Sequence, residues 1–320
     1  MLTVKKIKDK GCICLSIKKD LLAVGHTALD YIITVDEFPK ANNSAPMKTM
    51  KNLNGGAAAN VAMIGAKLGM KTGLISAVGC EFIDSHYHKN MQKLGVDTEA
   101  LIISQDENTP TAFVMTNNNQ DQISYFYWGA GKDFHDSIVP RDKIKEFKAV
   151  HLATGDPHFN CKSGIVAKEE ERLVSFDPGQ DLGMYSPKKL KEVITNCNIL
   201  FGNHHEIKRI QESLNVDING LMDLGPEIVL KTCGKEGSFI YSVDDGKIQI
   251  DSIYRPAVDP TGAGASYKAG FLSQFINGAS LEESAKFASS VSSFVVEKQG
   301  CQTNMPSYDE AYNRMIDFYK

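Results

Sequence analysis

The stretch Asp259–Ser266, with the sequence DPTGAGAS, governs the interpretation of the whole chain. Two glycines flank a small residue in it, so the backbone can come close to a ligand. The residues that follow, Tyr267–Leu272, are typical of an apolar helix, whose first N–H groups carry the positive end of the helix dipole. The stretch therefore predicts either an anion-binding loop that opens a helix or a plain strand-to-helix turn.

Composition restricts the class of protein around this stretch. At 320 residues we expect one large domain with an appendage, and a net charge of -4 does not favour a nucleic-acid partner. The seven cysteines are scattered and lack Cys-x-x-Cys spacing, which indicates reduced thiols and a cytoplasmic protein. No apolar run approaches the roughly 18 residues of a membrane span. Residues 1–20 are too interrupted for a good signal peptide and are interpreted as an extension to a domain over 21–320.

Short apolar strands alternate with helices along most of the chain. Predicted strands lie at 21–24, 73–78, 149–153, 173–176, 199–201 and 227–231, with antiparallel strands at 239–241 and 248–253. Predicted helices lie at 57–68, about 87–94, from the opening stretch to about 275, 281–297 and 307–319. This order predicts an α/β fold around a mostly parallel sheet with an antiparallel edge.

Two stretches, about 31–54 and 109–130, are assigned to a small β appendage. Within the second, the runs Thr111–Thr116 and Gln122–Trp128 predict a hairpin around a polar turn. Alternation places Phe126 and Trp128 on one face of it and Tyr125 and Tyr127 on the other. Phe126 and Trp128 could stack on a flat ligand or pack against another subunit.

Polar residues and glycines next to the predicted strands are the other candidates for a site. Asp30 and Asp177 follow strands, at the edge where open α/β sheets bind ligands. The pair Gly55-Gly56 opens a helix and fits a tight turn as well as a site. Asn203 and Glu206 have the spacing for a metal or phosphate-bound water, and equally that of a helix cap with its capping-box partner.

In their order along the chain, these motifs resemble those of the ribokinase (PfkB) family of carbohydrate and nucleoside kinases. The resemblance runs from about Leu21 to the C-terminus. It rests on four motifs in combination: Gly55-Gly56-x-x-x-Asn60, Asn203-x-x-Glu206, Thr232-x-Gly234-x-x-Gly237 and Asp259-x-Thr261-Gly262-Ala263-Gly264. The residue sequences at 24–31, 55–60, 153–157, 176–181 and 294–304 are similar to those of the archaeal nucleoside kinases of that family.

The resemblance implies a three-layer fold with a small β-sheet lid. It also implies transfer of the γ-phosphoryl group of ATP, with Mg²⁺, to the 5'-hydroxyl of a ribonucleoside. A sugar kinase for ribose, fructose or a phosphosugar is the enzymatic alternative, and a nucleoside-binding protein without transfer activity is the alternative from another class. Whether a monovalent cation is also required stays open. An exposed lid sheet further suggests a homodimer.

Residue roles carry over from the family by position. On the acceptor side, Asp30 would hold sugar hydroxyls, Gly55 and Gly56 would bend as the lid closes, and Asn60 would position the acceptor, with Asp156, Phe126 and Trp128 as further candidates. Asn203 and Glu206 would organise Mg²⁺ and its waters. The backbone of Gly262, Ala263 and Gly264 would form the anion hole. The full set of nucleotide-binding candidates is Asn203, Thr232, Gly234, Gly237, Thr261, Gly262, Gly264, Gly300 and Asn304.

Ala265 departs from the family pattern, which continues with an Asp that takes the proton from the attacking hydroxyl. A base of this kind contributes roughly 10²–10⁴-fold, so we expect binding to survive and turnover to be low or absent. Ser266 and Asp259 are the nearest polar residues, but a serine is a poor base near neutral pH. Three explanations stay open: an alanine introduced into an intact kinase, a naturally inactive binding protein, and a kinase with a relocated base.

Overall fold

A computed structural model describes residues 19–119 and 121–320. Of the predicted extension over 1–20, the first 18 residues lie outside the described residues, and Lys19 and Asp20 already belong to the first strand. No helix in the described residues has both the length and the apolar character needed to cross a membrane.

The central sheet has eight strands in the order β14-β13-β12-β11-β10-β9-β1-β4. All neighbouring pairs from β4 to β12 are parallel, and β13 and β14 are antiparallel, as predicted. The strands are β1 Lys19–Val24, β4 Thr72–Ile75, β9 Phe147–Leu152, β10 Leu173–Phe176, β11 Ile199–Asn203, β12 Ile228–Thr232, β13 Ser238–Ser242 and β14 Gly246–Ile250.

Helices cover both faces of this sheet. Leu21 and Ala23 of β1 belong to one apolar cluster and Leu22 and Val24 to another, because successive side chains of a strand point to opposite faces. All four are fully buried, as expected for parallel strands between two helical layers. The sequence prediction of an α/β fold in three layers is confirmed.

Ten α-helices lie in the described residues. They are α1 Ala57–Lys67, α2 His86–Lys93, α3 Arg141–Lys145, α4 Pro157–Glu169, α5 Pro187–Thr195, α6 His204–Leu214, α7 Ile218–Leu224, α8 Ala263–Phe275, α9 Leu281–Val295 and α10 Tyr308–Phe318. Helices α1, α8 and α9 contribute to the first apolar cluster, and α4, α5 and α6 to the second.

A separate four-stranded sheet, here called the lid sheet, has the order β3-β2-β7-β8. Its strands are β2 Ala28–Val35, β3 Met47–Gly55, β7 Thr111–Thr116 and β8 Gln122–Tyr127. Strand β2 begins before Asp30, so this carboxylate lies within the lid sheet and not, as predicted, in a loop just beyond β1.

Two other predicted boundaries differ from the structure. The predicted strand 73–78 ends at Ile75, because the next residues form β5 Ala77–Gly79, which pairs with β6 Ile102–Ser104 in a two-stranded sheet. Trp128 was predicted to continue the last lid strand. It instead has helical backbone angles and starts a 3-10 turn over Gly129–Phe134.

Candidate active site

The predicted anion loop lies at the N-terminus of α8. Gly262 caps this helix with a left-handed φ of 86°, and a methyl group on its Cα would lie 2.2 Å from Sγ of Cys301. Any side chain at this position would therefore meet both backbone strain and a clash. The sequence needs glycine here because the loop packs directly against the turn that contains Gly300 and Cys301.

Asp259 ties the loop to that same turn. One of its carboxylate oxygens accepts a hydrogen bond from the N–H of Thr261 at 2.8 Å, and the other accepts from the N–H of Gly300 at 2.9 Å. The Ser266 hydroxyl donates to the carbonyls of Gly262 and Ala263, each at 2.9 Å. Both residues named as possible replacement bases are thus engaged in holding the loop.

The N–H groups of the loop are not all equivalent. Ala263 donates its N–H to the carbonyl of Pro260 at 3.2 Å, so the predicted anion hole of Gly262, Ala263 and Gly264 has one donor already in use. Helix geometry leaves the N–H groups of Gly264 and Ala265 pointing out of the first turn. Of the predicted anion hole, the Ala263 N–H is thus already paired, and binding of an anion by the loop stays a prediction.

On the lid side, Asp30 lies over the Cα of Gly55. A methyl group on Gly55 would come within 2.1 Å of the Asp30 carboxylate, which explains the glycine at this position. Burial, together with the charge of Asp259, raises the pKa of Asp30 to about 6. The two ends of the candidate site, one on the lid sheet and one on the loop, are thus close enough to interact electrostatically.

Asn60 belongs to a hydrogen-bond network that the sequence did not reveal. Its side-chain oxygen accepts from Nε2 of Gln302 at 2.8 Å, and the same nitrogen lies 2.5 Å from the hydroxyl of Tyr87. Tyr87 in turn donates to the carbonyl of Gly55 at 2.9 Å. The network joins helix α1, the end of the lid sheet and the turn after α9.

Phe126 lies on the same face of the lid sheet as Asp30. The register aligns Asp30 with Ala112 and Ala112 with Phe126, so all three side chains project to one side, and Tyr125 projects to the other as predicted. Trp128 rejoins Phe126 despite lying outside the strand, with ring centroids 6.1 Å apart. The predicted aromatic pair is therefore present, but it is formed through the turn and not through strand alternation.

His26, which the sequence did not single out, completes this aromatic cluster. Its ring lies 4.6 Å from that of Trp128 and 5.5 Å from that of Phe126, and its Nε2 is 3.4 Å from a carboxylate oxygen of Asp181. The side chain is buried, and its Nδ1 has no hydrogen-bond partner in the described residues. A buried ring nitrogen without a partner is uncommon in folded proteins.

A cavity of about 80 Å³ lies on the other side of the loop and is lined by Asn203, Glu206, Thr232, Gly264 and Lys268, with Phe201, Gly202 and Tyr267. Asn203 and Thr232 are paired residues at the ends of the neighbouring strands β11 and β12. Asn203 and Glu206 form a reciprocal capping box at the start of α6, so the helix-cap reading of their spacing is confirmed and the metal-binding reading stays a prediction.

The oxygen ligands at this cavity fit Mg²⁺. Glu206 uses one carboxylate oxygen for the cap at 2.7 Å, which leaves the other for a metal-bound water. Clusters of three or more His, Cys, Asp or Glu able to hold a metal are absent from the described chain. Mg²⁺ usually keeps its waters and binds through one or two carboxylates and substrate phosphates, a mode that the second oxygen of Glu206 would suit.

The remaining nucleotide-side candidates lie in three segments: the turn after β12, the anion loop and the turn after α9. Gly234 and Gly237 have left-handed φ angles of 57° and 84° in the turn after β12. Thr261 is exposed in the loop, and Gly300 lies against Leu53 of the lid sheet. Asn304 donates from its side chain to the carbonyl of Phe294 at 2.5 Å, which holds the turn after α9.

Asp156, a predicted acceptor ligand, caps helix α4. It accepts from the N–H of Phe159 at 2.7 Å, and its other oxygen lies 3.4 Å from Nδ1 of His135. The structure thus gives Asp156 a local role, and its contact with an acceptor stays a prediction.

Comparison with known proteins agrees with this arrangement. The model of the pfkB family of carbohydrate kinases matches residues 18–308. The chain belongs to this family. It is accordingly an ATP-dependent phosphotransferase with an alcohol group as acceptor, which confirms the resemblance drawn from the motifs.

Two curated relatives cover nearly the whole chain. A nucleoside kinase of Methanothermobacter thermautotrophicus is 56% identical over 92% of this chain and 95% of its own length. A nucleoside kinase of Methanocaldococcus jannaschii is 42% identical over 92% of this chain and 96% of its own length. The crystal structure of the nucleoside kinase from Methanocaldococcus jannaschii matches 94% of this chain and 99% of its own, with a TM-score of 0.90 and 40% identity.

Proposed function

We propose that this pfkB kinase acts on nucleosides and directs the γ-phosphoryl group of ATP to the 5'-hydroxyl of a ribonucleoside. The observation that carries the proposal is the shared lid face of Asp30 and Phe126, completed by Trp128 and His26. Such a face offers a carboxylate for sugar hydroxyls and aromatic rings for a base. Relatives at 56% and 42% identity carry the name nucleoside kinase, which supports the same choice.

On the acceptor side, the ionised Asp30 accepts hydrogen bonds from ribose hydroxyls, and the aromatic cluster packs on the base. The Tyr87–Gln302–Asn60 network holds the end of the lid sheet against the turn after α9, to which Asp259 ties the loop, and so helps to fix the distance between acceptor and donor. Positioning of this kind accounts for a large part of phosphoryl-transfer catalysis.

On the donor side, the first-turn N–H groups of Gly264 and Ala265 face the group being transferred. They stabilise the charge that develops there, without reorganising at the moment of reaction. Mg²⁺, held through water by Asn203 and Glu206, would neutralise charge on the ATP phosphates. The monovalent-cation requirement stays open.

We further propose that turnover is low in this chain because Ala265 occupies the position of the family's base. Ser266 and Asp259 are each committed to two hydrogen bonds within the loop and its neighbouring turn. This disfavours the relocation of the base to either residue. Substrate binding does not depend on the missing carboxylate.

The test is Ala265→Asp, assayed beside the unchanged chain with ATP and Mg²⁺ against a panel of nucleosides and free sugars. Restoring a positioned base should raise turnover roughly 10²–10⁴-fold with nucleosides and leave nucleoside affinity unchanged. Phosphorylation of sugars alone would assign the chain to the sugar kinases. No phosphorylation by a variant that still binds nucleoside would identify a binding protein.

We also propose that the outer face of the lid sheet pairs two copies of the chain. This face carries Met50 and Tyr125, which are 60% and 64% exposed, beside the stacked rings of Tyr31 and Phe113. Exposed apolar patches of this kind mark interaction surfaces. Tyr125→Arg should shift a dimer to monomer in sedimentation equilibrium, and a monomer in the unchanged chain would refute the pairing.

A cytoplasmic location is proposed on the cysteines. The five in the described residues are all free thiols. Reduced cysteines are typical of that compartment.

A further inference from the structure

Lys268 and Asp177 form a buried ion pair beside the anion loop. Lys268 follows Ala265 by three residues on α8, so both lie on the same side of the helix. Asp177 comes directly after β10, on the edge of the sheet that faces the loop. The sequence did not point to Lys268 as a site residue, because its partner Asp177 is 91 residues away in the chain.

The amine of Lys268 is folded back toward the loop. A methyl group placed on the Cα of Gly264 would lie 3.4 Å from its Nζ, so the amine is level with the first turn of the helix. Long helical side chains commonly point toward the N-terminus in this way. The positive charge is therefore next to the N–H groups that face the transferred group.

This amine also lines the cavity that contains the predicted Mg²⁺ ligands. Among the described residues around that cavity, Lys268 has the only cationic side chain, opposite Asn203, Glu206 and Thr232. A polyphosphate there would meet the carboxylate of Glu206 through a metal and the amine of Lys268 directly. The cavity would thus combine the amine of Lys268 with residues that would hold a metal ion.

The surroundings of the pair allow the amine to change partners. The Lys268 and Asp177 side chains are only 15% and 7% exposed, and burial lowers the pKa of Lys268 to about 8, so it remains mostly protonated at pH 7. The other oxygen of Asp177 accepts the N–H of Gly179 at 3.1 Å, so this carboxylate keeps a partner if the amine moves. His151 nearby is held neutral, because burial and the charge of Lys268 lower its pKa to about 3.

Ala265 increases the charge available to a ligand. An Asp at this position would lie one helical turn from Lys268 and compete for its amine. With alanine, Asp177 is the only carboxylate that the described residues bring to the amine as an ion-pair partner. Alanine at position 265 therefore leaves the Lys268 amine next to the loop with one ion-pair partner, Asp177, which a phosphate could replace.

We propose that Lys268 is a phosphate-binding residue, whose amine leaves Asp177 to contact the β- and γ-phosphate oxygens of the donor nucleotide. The proposal rests on the proposed function in taking ATP as the donor. Only hydrogen bonds and ion pairs are exchanged, and no covalent bond forms. When the donor is absent, the ion pair with Asp177 keeps the amine of Lys268 next to the loop.

Three variants of the full chain test this role. Lys268→Met removes the amine, and the double variant Lys268→Met with Asp177→Asn also removes the carboxylate that would otherwise be left buried without its partner. Lys286→Met on α9 is the matched control, because Lys286 pairs with Glu282 on the surface and does not line the cavity. Calorimetric titrations with MgATP, MgADP, AMP and a nucleoside, together with Tm, form the readout.

We expect both Lys268 variants to weaken MgATP binding roughly 10- to 100-fold, as for loss of a hydrogen bond to a charged group. AMP and nucleoside should bind as in the unchanged chain, and Lys286→Met should change nothing. The double variant should regain the Tm lost in Lys268→Met without regaining MgATP affinity. That separation of stability from affinity is the signature of a ligand contact.

A double variant that binds MgATP like the unchanged chain would show that the pair is only structural. Equal weakening of AMP binding would exclude contact with the β- and γ-phosphates, and an unchanged chain that binds no nucleotide would also overturn the proposal. If the unchanged chain binds MgATP but no nucleoside, and the Lys268 variants weaken MgATP binding as expected, the nucleoside assignment is refuted and the role of Lys268 is supported.

Discussion

The anion loop and the lid sheet face each other across the candidate site but are built in opposite ways. The loop is formed by backbone held at Gly262, Asp259 and Ser266, and the helix behind it is largely buried. Every residue of β8 in the lid is exposed, and its recognition surface consists of side chains. The comparison teaches that the loop offers backbone N–H groups whose positions are fixed, whereas the lid offers side chains that the sequence can vary without disturbing the core.

Among the changes that test this contrast between loop and lid, the largest effect is expected at Gly262. In an Ala265→Asp background, Gly262→Ala should lower turnover on the order of 10²-fold, because displacing the loop misplaces the anion site. The control is Gly69→Ala: Gly69 has a φ of 93° but nothing within 4 Å of an added methyl group, so it isolates backbone strain from the clash with Cys301. It should cost about 1 kcal/mol of stability and leave kcat unchanged. Equal kcat values for the two variants would show that the position of the loop backbone does not matter for turnover, and would contradict the contrast drawn between loop and lid.

A smaller effect is expected on the lid. Phe126→Ala should weaken nucleoside binding roughly 30-fold, the middle of the range for loss of stacking on one base, and leave MgATP affinity unchanged. Tyr125→Ala, one residue away on the opposite face, serves as the control and should leave nucleoside affinity alone. Calorimetric titration with nucleoside and with MgATP separates the two sides, and a loss of MgATP binding in Phe126→Ala would contradict the division.

The smallest effect is the pH dependence of acceptor binding. Because the pKa of Asp30 is about 6, the carboxylate is mostly ionised at pH 7 and mostly protonated at pH 5. Nucleoside affinity should therefore fall up to about tenfold between these two values, since the ionised form accepts the hydroxyl hydrogen bonds.

Asp30→Asn is the control for this titration and should bind weakly with no step near pH 6. The raised pKa also means that the folded chain holds this proton more tightly than the unfolded chain. Its contribution to stability is present at low pH and is lost as the pH rises from about 4 to 6. An unchanged chain with pH-independent nucleoside affinity would exclude Asp30 as an ionised ligand.

Prediction from sequence succeeded where a short stretch contains its own physical reason. The runs 21–24 and 173–176 are continuously apolar because both faces of their sheet are covered, so their burial could be read directly. Gly262 and the residues after it likewise predicted a loop that opens a helix. Trp128 was misplaced because alternation says nothing about where a strand ends, and the strand 73–78 was drawn too long for the same reason.

The residues that sequence reasoning missed are those whose partners are remote. Tyr87 and Gln302 are 215 positions apart and meet only because the lid sheet, α2 and the turn after α9 converge. His26 is recognised as a candidate only through its contacts with Trp128 and Asp181. Lys268 is recognised only through its ion pair with Asp177. A local pattern existed only for Lys268, a cation on the same helical side as Ala265.

The sequence by itself determined the family and the parallel sheet, because each depends on neighbouring residues with a fixed spacing. Only the tertiary structure decided which groups share the site. It placed Asp30 within reach of Asp259 and the aromatic rings on Asp30's side of the lid, and it brought the amine of Lys268 beside the loop. Those relations depend on how distant strands and helices pack, and packing is a property of the whole chain.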